Sequence, residues 1–132
     1  MSNIHYVEDF VIAYMIAALW SSNDESDERG GEPMDSNYSI DDIAPETKET
    51  MLKECQRFIE EDWDDLQEIP NGGEYNRAER AGHDFWLTRN HHGAGFWDRG
   101  LGAVGKRLTE AARKGKGRNL YVRDDGMIYQ DG

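Results

Sequence analysis

Cysteine occurs once in this 132-residue chain, at Cys55. A single thiol cannot close an internal disulfide, and a zinc site built on cysteines needs more than one. The setting this implies is a reducing one, the cytoplasm. Long apolar runs are missing too. The longest spans residues 10–20, eleven in all, short of the roughly 18–20 that a bilayer-crossing helix requires. No basic, apolar and cleavage-site succession opens the chain. Positive charge is scarce: 15 Lys and Arg stand against 27 Asp and Glu, for a net charge of −12. Phosphate backbones are bound through a positive footprint, so direct nucleic-acid binding is not expected.

What is present is unevenly placed. Residues 1–75 hold 20 acids and 4 bases, whereas residues 76–132 hold 7 acids and 11 bases. An acidic half of this kind suits a basic protein partner, or simply keeps the chain in solution. At this length one domain is expected, of α+β class and mostly helical, with about four helices and a C-terminal β-hairpin.

Taken in order, IHYVEDFVIAYMIAALW (4–20) is apolar on nearly all sides after Asp9. That pattern predicts a buried central helix, with an oligomer interface as the alternative. Residues 21–42 carry no period and are rich in Ser, Asn, Asp, Glu and Gly, which predicts a mobile acidic loop. A calcium loop framed on Gly30 fails. It would place Glu25, Asp27 and Arg29 at the first ligand positions and Ser36 where the terminal glutamate belongs. Residues 45–68 predict the longest helix, opened by Pro45. Met51, Leu52, Cys55, Phe58, Ile59 and Leu66 form its buried stripe, with Trp63 at the edge. Cys55 on that stripe reads as packing.

The other side of the same helix carries Glu54, Glu60, Glu61, Asp64, Asp65 and Glu68. Like charges three and four apart repel by a few tenths of a kcal/mol each. These six residues are the expected partner-binding face. Pro70 and Gly72-Gly73 end the helix. A further helix is expected over 76–89, opened by Asn76 with Glu79 in capping-box spacing. It buries Ala78, Ala81, Phe85 and Trp86 despite Gly82, and sets Arg89 near Trp86. After the turn NHHGAG, a short helix is expected over 101–114 with Leu101, Val104, Leu108, Ala111 and Ala112 inward. NLYVRDDGMIYQ then predicts a hairpin turning at Asp125-Gly126.

The densest stretch is HDFWLTRNHHGAGFWDRG (83–100). Its His83, Arg89, His91, His92, Trp97, Asp98 and Arg99 form the alternative candidate, a small-ligand or hydrolytic site in which His83 pairs with Asp84 or Asp98 and an arginine holds an anion. No catalytic set is complete, since no serine follows Ser39 and Cys55 lies on the core stripe. No H-x-x-x-H or H-x-H spacing occurs, so no metal is expected. GLGAVGK (100–106) satisfies two phosphate-loop patterns. However, Arg107 stands where Ser or Thr must hold the metal, and no strand precedes the loop. Its glycines are expected to let the following helix pack closely. No cofactor is expected, and the chain is not expected to be an enzyme.

The block HDFWLTRNHHGAGFWDRGLGAVGKRLTEAA, with ALWSSNDES, DDIAPET and LYVRDDGMIY, resembles a family of small uncharacterised proteins of tailed bacteriophages and mobile elements. The resemblance implies the cytoplasm of an infected bacterium and carries no activity with it. Small acidic phage proteins often inhibit host or defence machinery, some by imitating nucleic-acid charge. The function expected by that analogy is capture of a basic, nucleic-acid-handling host or defence protein, in the manner of an anti-restriction or anti-CRISPR inhibitor.

Overall fold

A computed structural model describes residues 4–24, 31–71, 74–91, 95–114 and 117–131. The chain is α+β and mostly helical. Helix α1 (Ile4–Ser21) is followed by two short paired strands, β1 (Asn23–Asp24) and β2 (Glu32–Pro33). Helices α2 (Pro45–Glu61), α3 (Trp63–Leu66), α4 (Arg77–Arg89) and α5 (Ala103–Ala112) come next. The antiparallel hairpin of β3 (Leu120–Val122) and β4 (Ile128–Gln130) closes the fold. No helix among the described residues is long and apolar enough to cross a membrane.

The core is aromatic. Phe58 and Phe85 stack with centroids 4.1 Å apart, while Tyr14 stacks on Phe85 and meets the edge of Trp86, each at 5.3 Å. These rings join α1, α2 and α4 into one buried cluster with Phe10 and Phe96. Helix α4 is set by the expected capping box. The amide of Glu79 donates to Asn76 Oδ1 (2.8 Å), and that of Asn76 donates to Glu79 Oε1 (3.0 Å). Asn76 Nδ2 also donates to Asp9 Oδ2 (2.9 Å), which ties the start of α4 to α1. At Gly82 the two backbones approach closely, and a Cβ there would collide with the carbonyl oxygen of Phe10.

Past α4 the chain doubles back. Gly95 adopts φ 150°, and its place against Thr88 Oγ1 leaves no room for a side chain. The amide of Phe96 donates to the same Thr88 hydroxyl (3.1 Å), folding Phe96 into the core. Gly105 gives α5 its close approach: a Cβ there would lie 3.0 Å from the Phe96 carbonyl oxygen. Of the glycines that mimic a phosphate loop, Gly105 therefore serves packing, whereas Gly100 and Gly102 sit in open space at φ 68° and 61° and serve the turn. A lone hairpin is marginal in water, and this one is anchored. The amide of Ala44 donates to the Ile128 carbonyl (2.9 Å), and Ile128 is fully buried.

Several expectations need correction. Helix α1 is not buried all round, because Ile4, Ile12, Ile16 and Trp20 face outward. The helix expected over 45–68 breaks at Asp62, and Leu52 is exposed rather than on the buried stripe. Within the acidic loop, 3-10 turns at Met34–Ser36 and Ile40–Asp42 insert Met34 beneath α1. The side chain of Ser39 and the carboxylate of Asp42 cap the second turn. Arg89 lies over the ring of Phe85 at 5.1 Å. Residues 25–30 of the loop, with most of the calcium frame, Gly72-Gly73, His92 and Gly93 fall outside the described residues, as does the side chain of Asp98.

Candidate functional site

The six acids expected on one face divide into two groups. Glu60, Glu61, Asp64 and Glu68 are exposed along the last turn of α2, α3 and the turn after it. Glu61 accepts from Arg57 Nε one helical turn earlier (3.0 Å). Glu60, Asp64 and Glu68 form no ion pair with a described cation. The break at Asp62 spreads these carboxylates over the end of α2, the single turn of α3 and the turn after it. It also brings Tyr6 of α1 onto Trp63, ring edge to face at 5.0 Å. Asp62 records the crowding: burial, then Glu61 and Asp65, hold its carboxyl above the usual carboxylate range.

Asp65 and Glu54 do not belong to the free face. Asp65 is gripped by both arms of Arg107 (2.9 and 2.7 Å), and that bond holds its carboxyl below its ordinary value. Glu54 is turned inward. Its side chain is 18% exposed and accepts from Arg89 Nη1 (2.9 Å), Arg118 Nε (3.2 Å) and Gln130 Nε2 (2.8 Å). Arg89 Nη1 also donates to the buried Tyr14 hydroxyl (3.0 Å). Burial alone would raise the Glu54 carboxyl, but Arg89, Gln130 and Arg118 outweigh it and keep it below 4.5. The neighbouring Cys55 is fully buried, and burial followed by the charge of Glu54 pushes its thiol well up. Such a thiol is packing, not a nucleophile.

The described candidates of the 83–99 block are distributed over separate places. His83 and Arg99 converge on Asp84, a carboxylate only 1% exposed. Arg99 reaches it with two bonds (3.0 and 2.8 Å), and His83 Nδ1 lies 3.1 Å from Oδ1. Trp20 and Tyr75 stack against His83, centroids 5.7 and 6.4 Å away. An open cavity of about 300 Å³ lies among Tyr75, Arg80, His83 and Arg99. Arg89 lines a different cavity with Glu54 and Arg118, and Trp97 a third beside Gly102 and Lys106. His91 is exposed at φ 58°, where it ends α4. Among the described residues His83, Arg89 and Trp97 thus border three different cavities, and His83 and Arg89 leave α4 on different faces. Trp20 and Tyr75 were not among the candidate site residues and gave no local signal for that role, since each meets His83 only through the fold.

No protein-family model, curated protein or solved structure matches this chain.

Proposed function

We propose that this chain is a non-enzymatic accessory protein, of the kind bacteriophages encode, that captures a basic, nucleic-acid-handling host or defence protein. The contact surface in this reading is Glu60, Glu61, Asp64 and Glu68. The observation that carries it is the exposure of Glu60, Asp64 and Glu68 on consecutive turns, none of them in an ion pair with a described cation, although Arg107 lies near enough to feel the charge of Glu68. Carboxylates left so close together repel, and a basic partner relieves that repulsion. A row of carboxylates is also how a protein imitates phosphate charge. The alternative of a small-ligand or hydrolytic site has less behind it. Asp84 already takes two bonds from Arg99, Arg89 is committed to Glu54, and the only thiol is buried.

The test is capture from lysate of the infected host. Changing Glu60, Glu61, Asp64 and Glu68 together to Lys is expected to abolish recovery of the partner at physiological salt and to leave the melting temperature within a few degrees. Undiminished capture by that variant refutes the reading.

A further inference from the structure

We infer that a groove beside α1 docks an amphipathic, basic helix of a partner protein. Ile12, Ile16 and Trp20 are spaced four apart on the outer side of α1 and are 48%, 49% and 42% exposed. Residues at that spacing share one helix face, and the stripe runs about 12 Å along the axis. Beside Ile16 opens a cavity of about 310 Å³, floored by Leu19 and walled by Tyr38 and Ile40. Contiguous apolar surface of this kind on a highly charged protein marks a contact site.

Its acidic lining selects the occupant. Asp35 and Asp41 border the same cavity, and neither forms an ion pair with a described cation. A helix that puts apolar side chains at i, i+3, i+4 and i+7 into the groove can set Lys or Arg flanks against these two carboxylates. A second copy of this chain suits the groove poorly. It would bring the same aspartates and another net charge of −12 against them. A small molecule would fill the cavity and leave Ile12 and Trp20 uncovered. The groove shares with the α2–α3 surface only the sign of the charge it attracts and uses none of its residues, so the two readings fail separately.

The experiment titrates the full chain with a synthetic helical peptide, about five turns long, bearing leucines on one face and lysines along its flanks. Calorimetry reads the affinity. Ile16→Ser is expected to weaken binding at least tenfold, about 1.4 kcal/mol. The pair Asp35→Asn and Asp41→Asn is expected to weaken it severalfold and flatten its salt dependence. Neutralising Glu60, Glu61, Asp64 and Glu68 to their amides is expected to leave it unchanged. Circular dichroism and melting check that Ile16→Ser folds, and Ile12→Ser serves as the second variant. Equal binding by both serine variants overturns the inference. Equal binding of a peptide with glutamate flanks overturns the charge selection. Loss of binding only in the four-amide variant moves the contact to α2–α3 and overturns the groove. Sedimentation as a dimer that Ile16→Ser dissociates assigns the groove to a second copy instead.

Discussion

Glu54 shows how far one residue's role depends on neighbours that the sequence holds at a distance. The sequence places it on the outward acidic side of the helix, opposite the Met51–Cys55–Phe58 stripe. Arg89, Arg118 and Gln130 decide the matter, and each comes from a different later part of the chain. Glu54→Gln removes the anion that compensates a nearly buried Arg89. The expected cost is about 2–4 kcal/mol, read by urea denaturation. The pH dependence has a definite sign. In the folded state the Glu54 carboxyl loses its proton more readily than its ordinary 4.5, so in the window below that value the unfolded chain binds more protons. The stability from Glu54 is complete above pH 4.5 and disappears as pH falls through the lower folded value. Glu54→Gln is expected to flatten the acid limb of the stability profile, and an unchanged limb would show that Glu54 contributes nothing there.

At the scale of elements, local signals were legible and long-range ones were not. The Asn76–Glu79 box, Pro45 at the start of α2 and the Asp125-Gly126 turn each act over a few residues, and each stands where the sequence placed it. The break at Asp62 carries no Gly or Pro. It belongs with Trp63 packing against Tyr6 and with Asp65 reaching Arg107, contacts that no window of the sequence contains. The outer face of α1 was misread for a related reason. An apolar run does not say how many neighbours surround it, and here they cover only part. Gly82 separates propensity from packing most sharply. By helix propensity, Gly82→Ala should stabilise α4 by about 1 kcal/mol. The Phe10 carbonyl oxygen occupies the space the methyl needs, so a loss of about 2–3 kcal/mol is expected instead. A thermal melt above that of the wild-type chain would show that α1 and α4 can separate at little cost.

For the molecule as a whole, charge sets the behaviour in solution. A net −12 on 132 residues repels itself, while the pairs Asp84–Arg99 and Glu54–Arg89 are sheltered from mobile ions. Salt therefore screens mostly repulsion. Raising sodium chloride from about 0.01 to 0.3 M is expected to raise the melting temperature by a few degrees in scanning fluorimetry, and a fall would mean that attractive surface pairs dominate. The candidate site was legible in the same proportion. The acidic run is visible in the sequence, whereas which of its members face outward depended on where the cations landed. The terminal hairpin adds a consequence in time. Ile128 supplies the acceptor for Ala44, and Gln130 the last donor to Glu54. On a ribosome, α1, α2 and α4 can associate while the hairpin is still being made. The ends of that bundle near residues 43–44 then stay open until residues 128–130 have been made, so closure of this fold waits on a segment more than eighty residues downstream of the site it closes.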